Sequence, residues 1–145
     1  MFFSSDEVSQ ILGLINWNNL NQDKLNFKGV SIDSRTILSE DLFVAIEGNN
    51  FDGHDFLEEV SNKNIKAVVI SKRYRNLVPN NCAYWSVKDT LAAFHELVLL
   101  MRRKLNIPVI AITGSVGKTT TKEIMREILK SYGKIKVSEK NFNNE

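Results

Sequence analysis

The sequence predicts a mixed α/β fold in two parts: a small α/β domain, followed by the opening strand–loop–helix–strand unit of a second domain of P-loop NTPase type. Three observations carry that prediction. Short apolar or β-branched runs at 42–46, 67–70 and 109–113 alternate with segments of helical period. Two glycines and a lysine then separate the last of these runs from the helix after it. Charge also divides, with net −2 on residues 1–88 and net +4 on residues 89–145. The composition is that of a folded protein: 145 residues, 43% hydrophobic, 25% charged, with 7 Gly and 2 Pro, which excludes disordered, collagen-like and coiled-coil classes.

The elements follow in order. Ser4 and Glu7 form a capping box, and Val8, Ile11, Leu12 and Ile15 then share one helical face. Residues 16–26 are polar and read as a loop. A strand is expected over 27–32, then a turn at Asp33-Ser34-Arg35-Thr36, where Asp and Ser side chains bond nearby backbone N–H groups. Residues 42–46 read as a buried strand. Asp55 and Glu58 repeat the capping pattern and predict a helix with Phe56, Leu57 and Val60 inward; Phe51 is also expected in the core. Strands are expected at 67–70 and 84–87. Asp89 caps a long helix whose apolar side is Leu91, Phe94, Leu97, Val98 and Met101, and Arg102, Arg103 and Lys104 complement the negative end of its dipole. Pro108 stops any continuation. Residues 109–113 read as a parallel strand, 119–131 as a helix with Ile124, Ile128 and Leu129 inward that Gly133 ends, and 135–137 as a further strand. The implied domains are 1–88, a linking helix at 89–106, and 107–145 as the truncated start of a second domain.

The strongest chemical pattern is Thr113-Gly114-Ser115-Val116-Gly117-Lys118-Thr119-Thr120 between a predicted strand and a predicted helix. Glycines let a backbone curl so that its N–H groups converge, and a helix N-terminus adds partial positive charge, so phosphate is the natural guest. Lys118 would reach the β- and γ-phosphates, and the Thr119 hydroxyl is the candidate Mg²⁺ ligand. The strict motif wants a glycine five residues before Gly117, where this chain has Ile112.

Other features are less specific. Arg35 has the geometry to clamp a phosphate or carboxylate with two parallel hydrogen bonds, and His54 stands before a predicted helix, yet on physics alone both segments are turns and caps. His54 and His95 are the two histidines, and they read as satisfied or surface residues rather than metal ligands. Cys82 is the single cysteine; it reads as a small buried hydrophobe, excludes an internal disulfide and fits a reducing cytoplasm. The longest purely apolar runs are five residues against the roughly 20 of a membrane span, and the basic excess is too slight to argue for nucleic acid.

Taken together, Asp33-Ser34-Arg35, the run from Asp41 to Gly48, Asp52-Gly53-His54-Asp55-Phe56 and the variant loop at 113–120 resemble the Mur ligase family, ATP-dependent amide ligases of peptidoglycan precursor synthesis. Thr121-Lys122-Glu123 and the ending Asn141-Phe142-Asn143-Asn144-Glu145 resemble the branch that joins D-alanyl-D-alanine to UDP-N-acetylmuramoyl-tripeptide. The resemblance implies a reaction through an acyl phosphate, with ATP and Mg²⁺ as cofactors. It implies nucleotide contacts from Gly114, Ser115, Val116, Gly117, Lys118, Thr119 and Thr120, with Asn141 and Asn144 near the nucleotide or the reacting carboxylate. Lys118 is the catalytic candidate. It further implies that the first domain holds the uridine-diphosphate end of the substrate through Ser34, Arg35, Gly53 and His54, and that the full-length enzyme is a cytoplasmic monomer. The family's carbamylated lysine, remaining metal ligands and adenine pocket belong to later sequence, so these 145 residues alone are expected not to ligate. The alternatives are the branch that adds the third amino acid and a non-catalytic uridine-nucleotide-binding module.

Overall fold

The computed structural model describes residues 3–13, 17–18, 24–48 and 51–138, with backbone only at 17–18. The chain divides into two compact units, Met1–Asn106 and Ile107–Glu145.

In the first unit the strands are β1 (Phe3–Ser4), β2 (Trp17–Asn18), β3 (Asn26–Phe27), β4 (Gly29–Ser31), β5 (Asp41–Val44), β6 (Ala67–Ser71) and β7 (Ala83–Val87). Its helices are α1 (Ser5–Leu12), α2 (Leu57–Asn62) and α3 (Thr90–Lys104), with 3₁₀ turns at Gly53–Phe56 and Lys72–Leu77. The main sheet has the order β2-β7-β6-β5-β4. Its four strands β4 to β7 run parallel, and β2 pairs antiparallel with β7. A separate ribbon pairs β1 with β3.

Parallel strands are buried on both faces, which is why β5 and β6 read as unbroken apolar runs. Side chains alternate between the two faces. Leu42, Val44, Ala67 and Val69 join Phe3, Val8, Phe27, Trp85, Ala93 and Leu97 in one core, on the side of α1 and α3. Phe43, Ala45, Val68 and Ile70 join Leu57, Val60, Ile65 and Cys82 in the other, on the side of α2. Helix α3 thus lies within the first unit. The capping box at Ser4 and Glu7 is present, and Asp89 Oδ1 accepts from the Ala92 backbone N–H at 2.9 Å.

Several expectations are corrected. The strand expected over 27–32 is two strands in two sheets, because Phe27 pairs with Phe3 while Val30 pairs with Leu42. The polar segment 16–26 contributes β2 and part of β3, whose ladder partners are distant in sequence and leave no local signature. The helix expected from Asp55 begins earlier as a 3₁₀ turn, because Asp52 is the residue whose side chain caps it. Phe51 is 76% exposed and Phe56 also faces solvent, so neither belongs to the core. On α3, Thr90, Ala93 and Leu97 are the buried positions, and Leu91 and Val98 are exposed.

The second unit contains α4 (Lys118–Leu129), continued by a 3₁₀ turn at Lys130–Tyr132 to Gly133. The strands expected at 109–113 and 135–137 are not formed among the described residues. A strand exists only as part of a ladder, and no described residue pairs with either segment. Ile124 and Ile128, expected inward, are about half exposed. Ile15 lies outside the described residues.

Candidate functional site

The candidate substrate segments are the turn after β4 and the loop before α2. In the turn, the Arg35 backbone N–H donates to Asp33 Oδ1 at 3.0 Å. The Arg35 guanidinium closes the same pair, with Nε to Oδ1 at 2.9 Å and Nη2 to Oδ2 at 2.7 Å. Side-chain hydrogen bonds from Arg35, then its backbone N–H, hold the Asp33 carboxyl down at about 2. Ser34 beside it is buried, and its Oγ donates to Glu59 Oε2 at 3.4 Å.

Across the turn, Lys63 at the end of α2 donates from Nζ to the carbonyl oxygens of Ser34 at 2.6 Å and Arg35 at 3.4 Å. It also pairs with Glu59 Oε1 at 3.1 Å. Glu59 and Lys63 are four residues apart, a helical ion-pair spacing visible in the sequence; nothing in it links that pair to Ser34.

The loop before α2 is built around a buried histidine. His54 Nε2 accepts from the Ser71 backbone N–H at 3.0 Å. That acceptor role places the ring proton on Nδ1, which donates to Asp52 Oδ1 at 2.5 Å. Asp52 also accepts from the His54 backbone N–H at 2.9 Å and from Tyr74 Oη at 2.6 Å. The Tyr74 ring stacks on the imidazole with centroids 3.9 Å apart. Partial burial pushes the Asp52 carboxyl up, but the hydrogen bonds from Tyr74 and His54 outweigh it and leave it below its ordinary value. Arg73 lies over the Tyr74 ring and pairs with Glu47, tying the 3₁₀ turn after β6 to the loop after β5. Both nitrogens of His54 are therefore committed inside the protein, and the side chain sets the shape of the loop.

Gly53 is held by close approach. Its N–H donates to the Ile46 carbonyl at 2.8 Å, and a Cβ there would stand 2.8 Å from the Ile46 nitrogen and 2.9 Å from the Ala45 Cα. Only glycine lets the loop lie against the end of β5.

In the second unit the loop at 113–117 turns through Gly114 (φ +148°) and Gly117 (φ +80°), backbone conformations that favour glycine. Gly117 stands at the N-cap of α4 and offers no side-chain cap; a helix N-terminus of this kind carries partial positive charge. Lys118 folds its Nζ back onto the Gly114 carbonyl. Ser115, Val116, Thr119 and Thr120 are exposed around it. No cluster of three or more His, Cys, Asp or Glu suited to a metal occurs among the described residues. The donor set here fits phosphate, with Thr119 offering one oxygen to a cation that phosphate would carry. Asn141 and Asn144 lie outside the described residues.

Burial pushes the Cys82 thiol up to about 12, consistent with an inert role. His95 is exposed on α3. Ser34, Arg35, Gly53 and His54 all fall in the first unit, and the 114–120 residues all fall in the second.

The sequence model described as Mur ligase family, catalytic domain, matches residues 26–111, more than half of the chain. UDP-N-acetylmuramoyl-tripeptide--D-alanyl-D-alanine ligase of Synechocystis is 36% identical over 91% of this chain, and the protein of the same name from Escherichia coli is 33% identical over 95%. The chain spans 29% of the length of each. Among solved structures, MurF from Acinetobacter baumannii superposes with a TM-score of 0.72 at 29% identity, covering 90% of this chain and 28% of that one. MurF ligase from Thermotoga maritima in complex with ADP superposes at 0.57 with 30% identity, covering 70% and 23%. With its parallel sheet, its capped loops and a family match over most of the first unit, the chain belongs to the Mur ligase family.

Proposed function

We propose that the chain is the part of an ATP-dependent amide ligase that recognises UDP-N-acetylmuramoyl-tripeptide and begins the nucleotide site, in an enzyme that adds D-alanyl-D-alanine to that substrate in peptidoglycan synthesis. What supports the reading most is the ligases of that name from Synechocystis and Escherichia coli, which align with 91% and 95% of this chain. The first unit takes the uridine-diphosphate end of the substrate at Ser34, Arg35 and the loop at Gly53 and His54; the Arg35 guanidinium is exposed and would turn from Asp33 to a diphosphate, while His54 shapes the loop beside it. The second unit takes the ATP phosphates on the 114–120 backbone. Lys118 stands at the loop to neutralise the γ-phosphate, which must accept a carboxylate nucleophile against charge repulsion.

Magnesium, when bound with the nucleotide, supplies further charge neutralisation, and Thr119 is the residue here that would face it. No described helix is long and apolar enough to cross a membrane. We place the enzyme in the cytoplasm, where its nucleotide substrates are made, as a monomer.

A second reading has one specific observation behind it. UDP-N-acetylmuramoyl-L-alanyl-D-glutamate--2,6-diaminopimelate ligase of Rickettsia felis is 33% identical over 77% of this chain. The coverage is lower than for the D-alanyl-D-alanine ligases, so that branch is the lesser reading.

The two sites are tested by NMR titration of the 145-residue chain. UDP-N-acetylmuramoyl-tripeptide is expected to move the amides of Ser34, Arg35 and Gly53, and Mg·ATP those of residues 114–120. Shifts from the first ligand confined to the second unit would refute the assignment.

A further inference from the structure

The two candidate substrate segments lie 20 residues apart in sequence, and neither motif contains the group that joins them. Lys63 joins them. Helix α2 follows directly from the 3₁₀ turn that holds Gly53 and His54, and it ends at Lys63 because Asn64 adopts a left-handed conformation with φ +60°. From that position one ammonium closes on two consecutive carbonyls of the turn, those of Ser34 and Arg35. Glu59, one helical turn back, holds the same ammonium through Oε1 and accepts the Ser34 hydroxyl on Oε2. The other end of the module is fixed independently, by Gly53 packed on the end of β5 and by His54 bonded to Ser71 and Asp52.

We infer that Lys63, supported by Glu59, is a positioning residue that locks the backbone of Ser34 and Arg35 to α2, so that the turn and the loop at 52–55 face one substrate as a single preorganised surface. The inference rests on the reading of those segments as the site for the uridine-diphosphate end. Its physical content is a saving of ordering entropy. A turn already held by charge-assisted hydrogen bonds loses less freedom when an anion binds, whereas a free turn must be ordered by the ligand itself. The Lys63 side chain is 36% exposed; its bond to the Ser34 carbonyl is partly buried and that to the Arg35 carbonyl faces solvent, so the ammonium holds the turn without burying an unpaired charge.

The test uses the full-length enzyme carrying this sequence, with Lys63→Met, which keeps the apolar stem, and Lys63→Arg, which restores a cation. Lys63→Met is expected to raise KM for UDP-N-acetylmuramoyl-tripeptide by about ten-fold. The kcat and the KM for ATP should stay within about two-fold, and Lys63→Arg should recover most of the loss. A merely structural role would lower the melting temperature and the active fraction and leave KM where it was, and that result would overturn the inference. A second measurement needs no substrate. Amide hydrogen exchange at 34–36 should rise at least about ten-fold in Lys63→Met relative to β5 and β6. Unchanged exchange would show that Lys63 does not hold the turn. A wild-type enzyme that ignores the substrate while Lys63→Met still frees the turn would overturn the substrate reading and leave the latch standing.

Discussion

His54 shows how a polar side chain inside a loop can be spent entirely on shape. Its Nε2 receives the Ser71 N–H and its Nδ1 bonds Asp52, so one imidazole links the end of β6 to the residue that caps the 3₁₀ turn at Gly53–Phe56. The two patterns containing Asp33 and Asp52 stood out in the sequence because Asp before a turn has a local reason to be there. Tyr74, Ser71, Glu59 and Lys63 did not, because they meet those residues only through the fold. Asp33 offers a direct check on the local geometry. With its carboxyl held at about 2 by Arg35, it favours the folded state at ordinary pH, and that contribution fades only as pH falls from the normal carboxylate range toward 2. Carbon-detected NMR titration should find this depressed value, and Arg35→Ala should return Asp33 to the ordinary range. A normal Asp33 titration in the wild type would mean that the turn is not closed in solution.

The elements divide by how local their causes are. Helix α1 was legible because its capping box and apolar face lie within a dozen residues. The cap of α3 at Asp89 was legible for the same reason. Strands β5 and β6 announced themselves as apolar runs because both faces are covered. By contrast, β2 and β3 are two-residue pieces, each one Asn and one aromatic, recruited by Tyr84, Trp85, Phe3 and Ser4, and pairing of that kind is not written in the paired segment itself. An aromatic near an apolar strand normally packs inward, but the loop carries Phe51 into solvent. The loop before α2 lies against backbone just past β5. Gly53→Ala should destabilise the first unit by about 1–3 kcal/mol in chemical denaturation, because the added methyl meets backbone that cannot rotate away. A neutral effect would show that the loop relaxes away from β5.

At the scale of the molecule, family was legible further than topology. Four short segments in family order sufficed to suggest a Mur ligase, since phosphate loops and capped turns use residues with local physical reasons. The strand order and the split of 27–32 between two sheets depend on non-local pairing, as does the absence of a ladder partner for 109–113 among the described residues, and composition and period do not encode it. The central claim is that the protein carrying this chain activates a UDP-linked tripeptide with ATP and joins it to D-alanyl-D-alanine. The most direct measurement is phosphate release by the full-length protein with Mg·ATP, comparing UDP-N-acetylmuramoyl-tripeptide plus D-alanyl-D-alanine with UDP-N-acetylmuramoyl-dipeptide plus diaminopimelate or lysine. Stoichiometric ADP, phosphate and pentapeptide product in the first mixture alone is the expected result; turnover only in the second, or in neither, would contradict it.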